Sequence, residues 1–315
     1  MSFIIKDSKI KKICLIAPKK LSPPSYRFDY AFWNFYLPLL HLGHSVDFFD
    51  TTEYGNEDLK NYIEKNEPDI LFCIMTGDSI LCPDEPWDTV LEETKKGKRI
   101  TFNWFCDDSY RFDSFSKLVC KNFHYCSTPE QKFVNLYKNI NYTNIIYSTW
   151  HANLDIYSTF KNVKKNIPVS FIGGLHGDRL KYMNFLKEHG ISVFCPNTKV
   201  SFEDMLCVYS QSLICLNFSK DATCQNTQMK ARMFEVPSIN SLLLTEHTDD
   251  LSSNFIENLE VMSFTSEYDL LNKINQLLNS PSLISEISKN GFNRVQKDHN
   301  SKIRLSHLLH QFSHE

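Results

Sequence analysis

Glycine is scarce in this chain, with only nine in 315 residues. Folds that let a backbone approach phosphate closely depend on glycine, so the scarcity excludes several readings. No G-x-x-x-x-G-K-[ST] run occurs, which removes a P-loop. The loop after the first predicted strand reads Ala17-Pro18-Lys19-Lys20-Leu21-Ser22-Pro23-Pro24-Ser25. It has no glycine, and its prolines delete backbone donors, so it is poor material for holding a pyrophosphate. Asp50 ends the second strand, where a ribose-binding acid could sit. Without the glycines it reads as a solvated strand-end carboxylate, and a nicotinamide enzyme is disfavoured. A basic excess is also missing: 34 Lys and Arg face 37 Asp and Glu, a formal charge of -3. That gives no strong nucleic-acid signal. The ten cysteines form no C-x-x-C pair, and most lie in apolar runs such as Leu71-Phe72-Cys73-Ile74-Met75. Reduced core thiols of a cytoplasmic protein are the expectation, with a zinc site as the residual alternative. No run approaches the ~18 apolar residues of a membrane span. The opening residues show no signal-peptide apolar region. Attachment to a membrane surface is left open.

What is present is an ordinary globular composition, 42% hydrophobic and 23% charged, in a chain long enough for two domains. Short β-branched and aromatic runs alternate with helical spacing. Strands are predicted at Ile10–Pro18, Ser45–Asp50, Asp69–Met75, Arg99–Phe105, Phe123–Thr128 and Asn144–Thr149. Helices are predicted at Phe28–Leu42, Glu57–Asn66, Trp87–Lys96 and Pro129–Lys138. Thr128, Pro129 and Gln131 read as a capping box with proline in the first turn. Tyr157–Pro168, rich in lysine and weak in periodicity, reads as a linker. A second series follows, with strands at Val169–Gly174, Ile191–Pro196, Ser212–Phe218, Ser241–Glu246 and Val261–Ser266. Its helices are placed at Asp178–His189, Phe202–Ser210, Thr227–Ser238, near Asp249–Phe255 and along Asn290–Phe312. Ser266 with Asp269, and Ser280 with Pro281, mark two further helix starts. Continuous apolar strands separated by helices imply parallel sheets covered on both faces. Two doubly wound α/β units are the economical architecture, with ligands beyond the carboxyl ends of the strands and a cleft between the units as the default site.

The second half concentrates what glycine there is. Phe171-Ile172-Gly173-Gly174-Leu175-His176-Gly177-Asp178-Arg179 holds three of the nine glycines and runs from a strand into a helix. Glycine admits an anion to backbone N–H groups, the helix start adds partial positive charge, and Arg179 can contribute a bidentate contact. A plain tight turn with a surface arginine has the same sequence. Further on, Arg232 and Glu235 stand three apart and share a helix face. A guanidinium there could neutralise a diphosphate, and a carboxylate could accept from the two hydroxyls of a ribose. The competing reading is an intrahelical ion pair on a wet face, worth little energy.

Lys230-Ala231-Arg232-Met233-Phe234-Glu235-Val236-Pro237, followed by Leu242-Leu243-Leu244-Thr245-Glu246, resembles the signature of the CgeB-like (spore-protein) glycosyltransferases of the GT-B superfamily. Asn290-Gly291-Phe292-Asn293-Arg294-Val295 with Asp298, His299 and Arg304 extends the resemblance downstream. Phe171–Gly174 and Asp178-Arg179 extend it upstream. Weaker fragments in the first half are Pro38–Val46, Asp50, Pro68–Leu71 and Trp104–Asp108. The resemblance thus covers nearly the whole chain in order.

It implies an α/β GT-B fold of two Rossmann-like doubly wound domains facing a cleft. Residues 1–160 would be the acceptor side, 161–298 the nucleotide-sugar domain, and 299–315 a helix crossing back to the first domain. The implied activity is transfer of a sugar from a nucleotide-sugar to a glycan, protein or small-molecule acceptor. Gly173 and Gly174 would approach the donor phosphates, with Arg179 and Asn217 nearby. Lys230 or Arg232 would neutralise the leaving diphosphate, and Glu235 would hold the ribose. No cofactor or metal is expected, because side-chain cations and a helix N-terminus take that role. Two departures stand out. Many retaining relatives carry a glutamate eight positions before the ribose-binding one, where this chain has Thr227. Asn240 stands where the family usually has glycine, a mild change because asparagine tolerates the left-handed conformation. On the acceptor side, Asp107 and Asp108 follow a strand end, where one could be the general base of an inverting transferase. One of them could instead cap the next turn. His151 is a further catalytic candidate, and Tyr26, Arg27 and Tyr30 are placed to contact acceptor. The alternatives are a non-catalytic sugar-nucleotide-binding or assembly module with a degenerate GT-B fold, and a GT-B-like phosphorylase or epimerase.

Overall fold

A computed structural model describes residues 11–20, 29–161, 163–196 and 200–312. The chain divides into two compact units, Met1–Ser148 with Ser301–Glu315, and Thr149–Asn300.

The first unit is built on six parallel strands: β1 (Lys12–Ala17), β2 (Ser45–Asp50), β3 (Ile70–Cys73), β4 (Ile100–Trp104), β5 (Tyr125–Thr128) and β6 (Ile145–Tyr147). Their order is β2-β1-β3-β4-β5-β6. The chain reverses direction across the sheet at β1 and β3, which opens a crevice at their carboxyl ends. Every residue of β3 is buried, as expected of a strand covered on both faces. One face packs Cys14, Ile16, Leu71 and Cys73 with Leu59, Ile63, Val90 and Tyr137 from flanking helices. The last helix, Ser301–Gln311, belongs to this unit. Phe312, just beyond it, packs on Phe102 of β4 and Tyr125 of β5 with ring centroids 5.1 and 5.2 Å apart.

The second unit has four parallel strands, β7 (Ile167–Ser170), β8 (Ser212–Asn217), β9 (Leu242–Glu246) and β10 (Met262–Phe264), in the order β10-β9-β8-β7. Phe194 pairs in parallel with Ser170 on the free side of β7. The chain therefore leaves β7, visits one side of it, and returns as β8 on the other. The crevice beyond β7 and β8 is the reversal point of this sheet.

Several expectations shift in detail. The unit boundary lies at Ser148 and Thr149, not at residue 160. The stretch read as a linker belongs to the second unit: Tyr157 is fully buried, packs edge-on against Phe202, and donates to Glu235 Oε1 at 3.1 Å. Thr128 ends β5, and the N-cap position falls on Glu130, without a side-chain capping bond. Of the expected strand 191–196 only the Phe194 bridge forms among the described residues. The helix expected from Thr227 spans Arg232–Ser238. Thr227 instead pairs with Lys220 across the loop Asp221–Asn226, which Asp221 closes by accepting from Thr223 and Asn226. Ser266 caps its helix by accepting from Asp269 N, and Asn240 takes φ 61°, the left-handed conformation its type tolerates.

Candidate functional site

Arg232 spans the reversal point of the second sheet. Its Nη1 donates to Asn217 Oδ1 at the end of β8 (2.8 Å), its Nη2 to the carbonyl of Ile172 just beyond β7, and its Nε to Tyr209 Oη (3.1 Å). The guanidinium lies 4.9 Å from the centroid of the Phe171 ring. All three acceptors are neutral, and among the described residues Arg232 makes no ion pair. Its charge is fixed in place but not compensated. Two of its five N–H groups remain for a ligand.

The glycines explain how a loop comes so close. A Cβ on Gly173 would lie 2.8 Å from Arg232 Nη2 and 2.9 Å from the Phe171 ring. A Cβ on Gly177, at φ +60°, would meet Cys224 Sγ at 2.3 Å. The N–H groups of Gly173 and Gly174 meet no acceptor among the described residues. More positive charge converges on this loop. Arg179 donates through Nη1 to Gly174 O (2.9 Å), meets His176 Nε2 at 3.0 Å, and faces the same Phe171 ring at 5.9 Å. Burial, then the charge of Arg232, works against its protonated form. Burial, then Arg179 and Lys230, holds the His176 imidazole below its usual range. Such crowding of like charge costs stability unless an anion relieves it.

Glu235 is buried, and its Oε1 accepts from Tyr157. It does not pair with Arg232, so the intrahelical ion-pair reading fails. Asn217 is also fully buried: its oxygen holds Arg232 and its amide donates to Thr245. It positions the arginine and is not itself placed for donor contact. Glu246, at the end of β9, accepts from the N–H groups of Ser219 and Lys220 and so fixes the loop after β8. A pocket of about 260 Å³ beside the glycine loop is lined by His176, Arg179, Lys220 and Glu246 among others.

In the first unit the two aspartates separate. Asp108 is only 1% exposed and takes the hydroxyl of Tyr137 on both oxygens at 3.2 and 3.1 Å. Burial pushes its carboxyl up to about 6, against hydroxyl bonds from Ser116, Thr128 and Tyr137. It serves the interior and cannot reach an acceptor hydroxyl. Asp107 stays half-buried in a pocket of about 200 Å³ with Met75, Thr76, Arg111 and Phe115. Its carbonyl accepts from Tyr110 and Arg111, so the turn is capped by its backbone, and its carboxylate accepts from the Cys106 thiol at 3.3 Å. His151 is 1% exposed, in the segment where Ala152 pairs with Asn300, which takes it off the list of accessible bases. Asp50 is not solvated either: it is buried and accepts from Lys19 N, Thr52 N and Thr52 Oγ1. Tyr30 stacks on Trp104. Tyr26 and Arg27 lie outside the described residues. Sequence reasoning missed Tyr209, Phe171 as a platform, Arg111 and Gly77. Only Phe171, adjoining the glycines, carried a local signal. Among the described residues no group of three or more His, Cys, Asp or Glu is placed to hold a metal ion, and no helix is long and apolar enough to cross a membrane.

Residues 160–310 match the family model described as glycosyl transferase-like. Solved structures match over nearly the whole chain. The UDP and glucose complex of Anabaena Alr3699/HepE has a TM-score of 0.65 at 10% identity, covering 97% of this chain and 100% of that one. A sucrose-phosphate synthase from Thermosynechococcus elongatus gives 0.64 at 12%, covering 96% and 99%. A glycosyltransferase from Rickettsia africae gives 0.63 at 11%, covering 95% and 97%. A comparison with curated protein sequences gives no match. At these identities the structures establish the fold: it is GT-B, α/β with parallel sheets in two Rossmann-like domains.

Proposed function

We propose that this protein is a glycosyltransferase of CgeB-like type that takes its sugar from a nucleotide-sugar bound in the second unit. The observation that carries this is Arg232, rigidly held by neutral acceptors at the sheet's reversal point, uncompensated, and joined there by Arg179 and Lys230. The family match over the second half supports the reading, as do structural neighbours solved with UDP and with UDP-glucose.

In this reading the N–H groups of Gly173 and Gly174 and the guanidinium of Arg232 take the diphosphate, with Lys230 beside them. Glu235, oriented by Tyr157, takes the ribose hydroxyls. The acceptor oxygen bonds to the anomeric carbon as the bond from that carbon to the phosphate oxygen breaks. The electron pair leaves on the diphosphate, where fixed cations stabilise it as it forms. Asp107 takes the acceptor proton. Metal independence is part of the proposal, since the cations stand where a divalent ion would otherwise act. The acceptor is a glycan, protein or small molecule, and the ten free cysteines suit a cytoplasmic setting. Thr227, lying in a loop where relatives have a glutamate, favours one second reading, a nucleotide-sugar-binding module without turnover.

Thermal denaturation with UDP-, GDP-, ADP- and CMP-sugars tests the proposal. One donor at about 100 times its Kd should stabilise the fold by about 2.7 kcal/mol, and Arg232→Ala should abolish the shift. No stabilisation by any nucleotide overturns it. Binding without transfer to any acceptor selects the second reading.

A further inference from the structure

Asn290–Val295 with Asp298 and His299 takes no part in the site described above, yet its side chains converge on one neighbour, the segment Asn254–Glu260. Asn290 donates through Nδ2 to Leu259 O at 3.1 Å. Arg294 donates through Nε to Glu260 Oε2 at 3.0 Å and through Nη1 to Asp298 Oδ2 at 2.7 Å. A Cβ on Gly291 would lie 2.4 Å from Glu260 O and 3.3 Å from Pro237 Cβ. Glycine therefore lets the helix Pro281–Arg294 lie against the end of the helix that carries Arg232.

His299 reaches furthest. Its Nε2 lies 2.8 Å from Asn254 O, and because a carbonyl only accepts, Nε2 carries the proton. The ring so fixed lies 5.0 Å from Phe234 and 5.0 Å from Phe255, centroid to centroid, and those two are 5.5 Å apart. All three rings are buried. His299 O accepts from Ala152 N at 3.1 Å, which ties the backbone of the residue as well.

Phe234 stands between Arg232 and Glu235 in a helix of seven residues, of which Met233–Ser238 are all buried. A helix this short is not held by its own hydrogen bonds, so its packing sets how it is turned. Side chains reach ~5–6 Å from a helix axis, so a turn of about 10° moves their ends by about 1 Å. A shift of about 1 Å weakens groups that must meet one ligand together.

We infer that His299 is a positioning residue of the donor site: packed on Phe234, it fixes the turn of the helix that presents Arg232 and Glu235. This rests on the reading that those two side chains hold a nucleotide-sugar.

Calorimetric titration of the full chain reads it, using whichever of the UDP-, GDP-, ADP- and CMP-sugars gives the unsubstituted protein its largest thermal shift. His299→Ala should weaken binding of that donor by about 10-fold or more, at a temperature where circular dichroism shows the variant folded. His299→Phe keeps a ring against Phe234 and should bring the affinity back to within about threefold of the unsubstituted protein. Leu277→Ala, a core truncation elsewhere in the same unit, should lower the unfolding temperature and leave donor affinity within about twofold. Where His299→Ala does not fold, Phe234→Leu opens the same contact from the helix side and should weaken the donor by a similar factor. Unchanged donor affinity in His299→Ala or Phe234→Leu, no recovery in His299→Phe, or an equal loss in Leu277→Ala overturns the inference and leaves the transferase reading standing. Absence of nucleotide-sugar binding in the unsubstituted protein overturns both.

Discussion

Arg232 and Arg111 are held alike and differ in their company. Each gives Nη2 to a loop carbonyl and lies on a phenylalanine ring, at 4.9 and 4.3 Å. Beside Arg232 stands a second guanidinium, Arg179, with Lys230 near His176 of the same loop and Glu246 facing Arg179. Around Arg111 the other charges are negative, from Asp107 and Glu85. A carbonyl and a ring fix a guanidinium without cancelling it, so the remaining neighbours decide the ligand. A predominantly cationic surround suits a diphosphate. Around Arg111, Glu85 answers the charge within the protein.

The contrast breaks first at Arg232. Arg232→Ala should lower kcat/KM for sugar transfer by about 10²–10³ if it stabilises the leaving diphosphate. A fall below about threefold in steady-state assays would remove Arg232 from the chemistry. The acids of the two units offer the next test. Burial raises Asp108 from 3.8 to about 6, whereas Lys220 holds Asp178 below its usual range. A carboxyl with a raised folded pKa binds its proton more tightly when folded. Its contribution to stability is whole below about pH 4 and lost as the pH rises through about 6. Across that window the group should cost up to about 3 kcal/mol, and Asp108→Asn should flatten the decline. Urea unfolding at pH 4, 5, 6 and 7 reads this, and an unchanged profile would remove Asp108 as its source.

The glycines come third. Gly77→Ala forces a Cβ into the Phe115 ring at a left-handed φ and should cost about 1–3 kcal/mol. Gly173→Ala presses on the end of a flexible arginine and should act more on donor affinity than on unfolding. Denaturant midpoints and donor titrations on both variants would show equal costs if the two loops were not built for different purposes. Asn240→Gly is the smallest. It relieves a left-handed asparagine at φ 61° and should change stability by at most about 0.5 kcal/mol in the same unfolding assay.

Much of the scaffold is legible because it is local. The apolar runs of β3 and β9 leave no wet face, so alternation with helices already implies covered parallel sheets. Arg232 and Glu235 could be paired with a ligand from their spacing and the glycine loop, but not told from a mutual ion pair. What settles that is Tyr157, 78 residues from Glu235, donating to its carboxylate. Asp107 and Asp108 are indistinguishable in sequence, and only the packing of Tyr137 sends one inward. Arg111 is invisible in sequence for the same reason: Thr76, whose carbonyl it binds, comes from a loop that carries no motif. The late start of the helix at Arg232 follows from Asp221 closing a turn that helical periodicity does not reveal.

The assignment of Ser301–Glu315 to the first unit has a consequence for synthesis. Phe102 and Tyr125 emerge from the ribosome long before Phe312, which covers them. The first unit is therefore begun before the second and completed after it, while every strand of the second unit is made in between. A nascent chain exposes that aromatic face until Phe312 appears, which makes the interval before Phe312 is made the moment when a chaperone has most to hold there.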